Sequence, residues 1–290
     1  AEYLDAVNVC KEYIAAGDIY QVNLSQRFEV ALPGAPFAVY GALRLASPAP
    51  FAAYLNVPGV AVASASPERF LRISDGFVQT RPIKGTRPRG ETPVEDERLA
   101  NELRRSEKDM AENTMIVDLE RNDLGRVCRY GSVKVTEFAA LEAYSNVFHL
   151  VSTVEGQLKP TIGPVDCLAA CFPGGSITGA PKIRAMEIID ELEPTCRSAY
   201  TGAIGYLGWD GNMDLNIAIR TLLMAGGKGW FQVGGGIVAD SDPEAEYQET
   251  LDKAAGLFAA LARQSGLEAS VCPKEDRLLS GGAMSPSERR

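Results

Sequence analysis

Two helical stretches carry acids in pairs. Asp109 and Glu112 stand three apart, and so do Glu246 and Glu249, with Lys253 one turn beyond the second pair. Side chains three or four apart share a helix face, so each pair presents its carboxylates together. The chain has one histidine, His149. That excludes a multi-histidine metal site and leaves a metal to oxygen ligands, which suits a hard cation such as Mg2+. The same spacing also describes two solvated helix faces, the commoner setting for helical acids.

The segment RPIKGTRPRG, residues 81–90, sets Lys84 among Arg81, Arg87 and Arg89. Two chemistries fit it. Lys84 is one more charge in an anion-holding loop, or it is a nucleophile whose amine is kept partly neutral by the crowding of like charges. Residue type alone does not choose. Glu68 in SASPERF, Arg220 and His149 each have an ordinary reading, as a surface acid, a surface cation and a satisfied core histidine. His149 is the one imidazole available to a Ser-His-Asp triad, and no GxSxG accompanies it.

Two glycine-rich segments resemble nucleotide motifs and fail on context. VGGGIVA, 233–239, stays strand-like where a dinucleotide loop would open into a helix. Its glycines instead let the backbone approach a ligand or another strand. PGGSITGAPK, 173–182, places Lys182 too far past Gly179 for a P-loop. It still precedes a helix N-terminus, so a plain loop and a carboxylate seat are both open.

The elements that must position these groups are legible from period and punctuation. Residues 2–16 read as a helix, and 19–30 alternate as a half-buried strand. FAAYLNV, GVAVASAS, RFLRIS and GFVQTRPI read as strands, with a turn at Asp75-Gly76. Residues 94–124 have a helical period, 146–156 form a strand, and APKIRAMEIIDELE forms a helix. Strands over 200–209, 213–224 and 229–239 follow, with Arg220 on the polar face of the middle one. The last helix spans about 243–262, and 265–290 lack an apolar stripe and read as a flexible tail. Strands run in antiparallel clusters, which predicts an α+β fold.

Composition bounds the function. Hydrophobic content of 46% and charged content of 23% fit a globular enzyme with a sizeable core. A net charge of −9 argues against nucleic-acid or anionic-membrane partners. No apolar run reaches the roughly 20 residues of a membrane span. The six cysteines form no CxxC and read as reduced thiols, which points to the cytoplasm. The polar first segment gives no signal peptide and reads as the interior of a longer protein.

PIKGTRPRG, DLERNDLGRV, HLVSTVEG, FPGGSITGAPKIRAMEIIDELE and EAEYQETLDKA occur in an order that resembles the chorismate-utilising enzymes. The resemblance covers roughly residues 2–262 and is carried by several motifs at once. It implies two stacked, mainly antiparallel sheets flanked by helices, with residues 1–264 as the catalytic domain. It implies that Glu112 and Glu249 bind Mg2+ with Asp109 and Glu246 beside them. Lys253 and the backbone near Gly236 would hold the ring carboxylate of chorismate, and Tyr200 and Arg220 the enolpyruvyl carboxylate. Ser176, Thr178 and His149 would line the pocket.

Two positions bear on the reaction. Gln21 stands where isochorismate and salicylate synthases have a lysine base. PIKGT stands where anthranilate synthases typically read PIAGT, and the lysine marks the aminodeoxychorismate synthase branch. That resemblance implies amination of chorismate at C4, with Glu68 as general acid and Lys84 as covalent nucleophile. The chain shows no glutaminase segment, so a separate glutamine amidotransferase subunit is the expected ammonia source. Anthranilate synthesis by amination at C2, or a non-catalytic chorismate-binding subunit, are the alternatives.

Overall fold

The computed structural model describes residues 2–32, 34–144 and 147–265. The expected tail, apart from the backbone of Ser265, lies outside the described residues. In chain order, α1 (Glu2–Ala16), β1 (Gln21–Ala31) and α2 (Pro36–Ala46) lead to a run of five strands. These are β2 (Phe51–Val57), β3 (Val60–Ser66), β4 (Arg69–Ser74), β5 (Phe77–Arg81) and β6 (Ile83–Pro88). Helices α3 (Pro93–Arg104) and α4 (Glu107–Val127) precede β7 (Lys134–Ala143), β8 (Val147–Gln157) and α5 (Pro164–Cys171). A 3-10 turn (Gly175–Ile177), the short β9 (Gly179–Ala180) and α6 (Lys182–Leu192) follow. The chain closes with β10 (Ala203–Leu207), β11 (Met213–Ile217), β12 (Thr221–Ala225), β13 (Lys228–Ile237) and α7 (Pro243–Ser265).

The strands form two antiparallel sheets. One runs β2-β3-β12-β13-β1-β9. The other runs β10-β11-β4-β5-β8-β6, with β7 on the far side of β8. Strands β5 and β6 are one line of chain interrupted at Pro82, whose carbonyl accepts the Ser152 N–H at 3.1 Å. They share one edge of β8, opposite Gln157 to Val154 and Val151 to Val147.

Each sheet buries one face under helices. Ala61, Ala63, Leu222, Phe231 and Val233 pack with α2 and α7. Val22, Leu24 and Ile237 pack with α1 and α6. Ile73, Val78, Met213 and Leu215 pack with Val117 and Leu124 of α4 and the cysteines of α5. Residues of the opposite parity are buried but polar: Gln21, Asn23, Ser64, Ser66, Thr221 and Asn216. Strand period two therefore divides each sheet into an apolar outer face and a polar inner one. Asn216 joins the two sheets by donating to the Phe51 carbonyl at 3.1 Å.

Three departures from the sequence reading have physical causes. The stretch 94–124 is two helices, because Thr92 and Ser106 each cap a new start by accepting the N–H three residues on. The stretch 213–224 is two strands in different sheets, because the chain crosses from one sheet to the other at 218–220. Helices α2 and α5 and strand β7 have no counterpart in the reading; α2 is apolar nearly all round, so its period carries little signal. Residues 233–237 stay in β13, as the rejection of a dinucleotide loop requires. Cys10, Cys128, Cys167, Cys171 and Cys196 are free thiols, and Cys272 lies outside the described residues.

Gly85 tests how tightly the fold constrains the Lys84 segment. A bulge there sets Lys84 opposite Leu150 but Thr86 opposite His149. Gly85 takes φ +78°, and a Cβ would lie 2.8 Å from Leu103 Cδ1 and 3.0 Å from Asp109 Cγ. Gly85→Ala is expected to cost about 1–2 kcal/mol from backbone strain alone, with the contact adding to it. A urea denaturation midpoint measures this; an unchanged midpoint would show that the bulge is not constrained.

Candidate functional site

The site begins where strands change sheets. β3 and β12 pair in one sheet, with Thr221 opposite Ser64. Their continuations β4 and β11 pair in the other, with Asn216 opposite Arg69. The two crossings, at 67–68 and 218–220, run side by side. They are tied by Ser66 Oγ donating to the Ile217 carbonyl at 2.6 Å, Ile217 N–H donating to Glu68 O at 3.1 Å, and Ala65 N–H donating to Arg220 O at 3.1 Å. Glu68 occupies one crossing and Arg220 the other. Arg220 has φ +50°, a left-handed backbone that the crossing imposes on a non-glycine residue. The alternation that puts Arg220 on a strand face thus stops at Ile217.

Glu68 and Lys84 meet on one residue. Ser176 Oγ donates to Glu68 Oε1 at 2.7 Å, and Lys84 Nζ donates to the Ser176 carbonyl at 3.3 Å. The Ile83 N–H also points at Glu68 Oε1, at 3.4 Å. Burial pushes the Glu68 carboxyl above its ordinary range, against the opposing pull of Ser176 and Lys84. The arginines do not crowd Lys84 as the sequence suggests. Arg81 pairs with Glu142, Arg87 with Glu102 and Asp109, and Arg89 with Asp96. Lys84 instead faces acids, among them the carboxylates of Glu68, Glu112 and Glu249.

The acid pairs on α4 and α7 converge around Lys108. Its ammonium lies 3.4 Å from Glu246 Oε1, and Glu112 and Glu249 add to its field. Glu246 is buried and also accepts from Ser241 Oγ at 2.7 Å. Glu249 pairs with Lys253 at 2.7 Å; burial opposes ionisation there, but Lys253 and further lysines hold the carboxyl below its usual range. Asp109 turns toward Arg87 at 3.5 Å. Glu112 makes no hydrogen bond or ion pair among the described residues. Burial, Asp109 and Glu249 raise its pKa against Lys84 and Lys108. Among the described residues no three acid, cysteine or histidine side chains form a ready-made metal cage. The donor set nonetheless fits a hard cation in kind: carboxylates on two facing helices, one of them without a partner.

Three glycines give that region its shape. Lys253 Nζ donates to the Gly234 carbonyl at 2.8 Å. A Cβ on Gly235 would lie 3.0 Å from Glu246 Oε2, and one on Gly236 would lie 2.3 Å from Gln21 Nε2. Gln21 is buried, and among the described residues neither its carboxamide atoms nor Asn23 Oδ1 has a partner. Buried orphans of this kind cost free energy unless a ligand or water completes them. Thr178 is buried and donates to the Gly174 carbonyl at 3.0 Å, so it shapes the turn that carries Ser176. Tyr200 is buried, with the Arg197 guanidinium 5.6 Å from its ring centre. Burial raises its hydroxyl to about 12.

A cavity of about 210 Å³ opens beside these groups, lined by Pro67, Tyr144, His149, Arg220, Lys253 and Gly256 among others. Arg220 has no ion pair among the described residues, so the cavity offers an unpaired guanidinium and an ammonium. His149 accepts or donates at 2.9 Å with Thr86 Oγ1, and burial first, then Arg220, lowers its pKa to about 4. It is therefore neutral near pH 7. A second, more open depression holds Arg69 and Arg81, both engaged with acids, and none of the candidate residues.

The sequence reading missed the polar groups behind the Ser176 turn. Glu120 Oε1 accepts the Gly175 N–H at 3.1 Å. Lys182 forms a buried pair with Asp123 and donates to the carbonyls of Cys171 and Pro173. Glu193 and Arg197 form another buried pair, from which Arg197 reaches the carbonyls of Ile177 and Asn23. Glu120 and Asp123 lie in DLERND and Lys182 opens α6, but nothing in their spacing reveals that Glu120 meets Gly175 or that Asp123 meets Lys182, 55 and 59 residues away.

The cleft thus places two cations, Arg220 and Lys253, at the seam of a two-sheet α+β scaffold, a lining whose charge complements a small anion. The sequence model of the chorismate binding enzyme family matches residues 1–259, and the chain belongs to that family. It is 51% identical over 259 residues to aminodeoxychorismate synthase component 1 of Bacillus subtilis, covering 89% of this chain and 55% of that protein. It is 53% identical over 261 residues to anthranilate synthase component 1 of Thermus thermophilus, covering 89% and 56%. The solved anthranilate synthase component I of Streptococcus pneumoniae superposes with a TM-score of 0.81 at 41% identity, over 88% of this chain and 57% of that one. The menaquinone-specific isochorismate synthase of Escherichia coli gives 0.79 at 25%, over 90% and 60%. The chain thus spans little more than half the length of these relatives. No helix among the described residues is long and apolar enough to cross a membrane.

The single histidine makes the site's electrostatics directly measurable. An NMR titration is expected to show His149 neutral down to about pH 5, with a midpoint near 4. Because the folded pKa lies below the ordinary value of 6.5, its contribution is complete above pH 6.5 and is lost as pH falls toward 4. The loss amounts to about 3 kcal/mol at the acid end. A midpoint near 6.5 would mean that the imidazole is solvated and not in the buried position beside Arg220.

Proposed function

We propose that this chain aminates chorismate at C4 to give 4-amino-4-deoxychorismate, the precursor of para-aminobenzoate in folate synthesis. The observation that supports it is the meeting of Glu68 and Lys84 on Ser176, an acid with a raised pKa beside an amine. Glu68 protonates the C4 hydroxyl, which leaves as water as the neutral Lys84 amine bonds to C2 and the two ring double bonds shift. The Lys84 nitrogen then gives a proton to the Glu68 carboxylate and becomes a neutral secondary amine. Ammonia bonds to C4, the double bonds shift back, and the C2–N bond breaks as Glu68 returns that proton to the departing Lys84 amine; the new C4 ammonium loses its extra proton to the Glu68 carboxylate. Dividing one displacement into two lets the position of Lys84 decide which carbon is aminated.

Arg220 and Tyr200 hold the enolpyruvyl carboxylate, and Lys253 with the Gly236 backbone holds the ring carboxylate. Ser176, Thr178 and neutral His149 shape the wall. Gln21, a carboxamide in place of a lysine base, leaves water at C2 unactivated. Glu112 and Glu249, with Glu246 and Asp109 beside them, would hold Mg2+, and the cation would supply positive charge to offset the ring carboxylate. The ammonia comes from a glutamine amidotransferase subunit, and the reaction is cytoplasmic. A second reading is amination at C2 with loss of pyruvate; identity of 53% to an anthranilate synthase component favours it.

The test is product analysis by mass spectrometry of chorismate incubated with the protein and ammonium, with and without Mg2+ and chelator. The expected product has amine in place of hydroxyl, keeps the enolpyruvyl group and disappears with chelator. Glu68→Gln is expected to slow it about 10²–10⁴-fold, and Lys84→Ala to abolish it. Anthranilate and pyruvate, or full C4 activity in Lys84→Ala, would overturn the reading.

A further inference from the structure

Glu120 is a buried carboxyl to which the proposed chemistry assigns nothing. It lies 2% exposed on α4, eight residues beyond Glu112. Its Oε1 accepts the Gly175 N–H at 3.1 Å, and its Oε2 is buried without a partner among the described residues. Gly175 opens the 3-10 turn Gly175–Ile177, and the next residue, Ser176, holds both Glu68 and Lys84. A Cβ on Gly175 would lie 2.7 Å from Leu119 Cδ2 and 3.1 Å from Glu120 Oε1, so the turn is pressed onto this stretch of α4. An isolated buried carboxyl is costly and is normally replaced by an apolar side chain unless it holds something.

We propose that Glu120 is a positioning residue: by accepting the Gly175 N–H it seats the Ser176 turn, and the turn sets the Glu68 carboxyl and the Lys84 amine against one another. The inference rests on the reading of Glu68 and Lys84 as the reacting pair. What the turn needs from Glu120 is an acceptor oxygen, not a charge. Burial, with Asp123 adding to it, raises the Glu120 carboxyl to about 7, opposed by Lys182 and the Gly175 N–H. The charged and titratable groups around it are Asp123 on the same helix, Lys182 at the start of α6, Glu68 at the crossing and Cys171 at the end of α5. Both charge states of Glu120 offer an acceptor to Gly175.

The test compares Glu120→Gln with Glu120→Leu and Glu120→Met. Chorismate consumption is followed whatever the product, and the Lys84 amine is titrated with an acylating reagent and read by peptide mass spectrometry without substrate. Loss of the acceptor in the Leu and Met variants is expected to lower kcat about tenfold or more, the value of one buried hydrogen bond. KM for chorismate is expected to change less than kcat, because Arg220 and Lys253, which hold its carboxylates, do not touch the turn. Lys84 acylation is expected to speed up several-fold as Ser176 lets go. Glu120→Gln is expected to restore most of the rate and the slow acylation. It should also remove a pH dependence: a folded pKa raised above 4.5 means that stability falls as pH rises from about 4.5 to 7, so the variant's melting temperature gains on the wild type across that window. Folded Leu or Met variants with unchanged kcat and acylation would overturn the proposal, as would a Gln variant as impaired as they are. If neither apolar variant folds, faster Lys84 acylation in Glu120→Gln overturns it and unchanged acylation supports it. Anthranilate as product, or no turnover at all, would count against C4 amination while leaving the acylation readout intact.

Discussion

Two strands leave one sheet for the other at the same place, and the site depends on that paired crossing. Pairing must be satisfied on both sides of the seam, so β3 and β12 part as a pair and arrive as β4 and β11. Between the pairs, backbone groups at 65–68 and 217–220 bond to one another rather than to a continuous ladder. Two side chains are thereby placed in the interior without belonging to a regular strand face. They are Glu68 and Arg220, and the sheets on either side fix them with the rigidity of a core. The positive φ of Arg220 is where that geometry is stored in the backbone.

The interior between the sheets is polar, and the stability of the molecule comes from outside it. Helices α1, α2, α4, α5, α6 and α7 cover the outward faces with aliphatic and aromatic side chains. That arrangement releases the inner faces from packing duty. Ser64 can then bond Thr221, and Gln21 can remain with both polar atoms open. A conventional sandwich fills this space with side chains from both sheets. Here glycine takes that role in reverse: Gly235 and Gly236 leave room for the acids of α7 and for Gln21.

The sequence carried the elements and the cast of the site more readily than their meeting points. Long periodic segments such as 2–16, 146–156 and the last helix are strongly specified by local pattern, and they fall where expected. The crossing at 218–220 is invisible to period counting, because Met213 to Ala225 alternates well enough to pass as one strand. The arginines around Lys84 mislead for a related reason. Proximity in sequence suggests mutual crowding, whereas each arginine finds an acid from α3, α4 or the strand β7. Glu120, Asp123 and Lys182 have no local signature, because their function depends on contacts between α4 and the chain near 171–182. Quoted motifs carried the resemblance; pairwise chemistry had to be read from the fold.

Helix α4 joins the two halves of the proposed chemistry. Glu112 on one stretch faces the acids of α7, and Glu120 and Asp123 further along hold the chain that presents Ser176. The separation is eight residues, roughly 12 Å along a rigid helix axis. A cation bound at one end would anchor the same rod that seats the turn at the other. Charge balance follows the same line: Lys108 and Lys253 pair with the acids of α7, while Arg220 in the cavity has no ion pair among the described residues. On the proposed reading, a substrate bearing two carboxylates would supply a partner for Arg220 and compete for Lys253. Lys253 would then be drawn from Glu249, freeing that carboxylate for a metal. Substrate and cation would thus each favour the arrangement that the other requires, a mutual dependence built from one lysine and one helix.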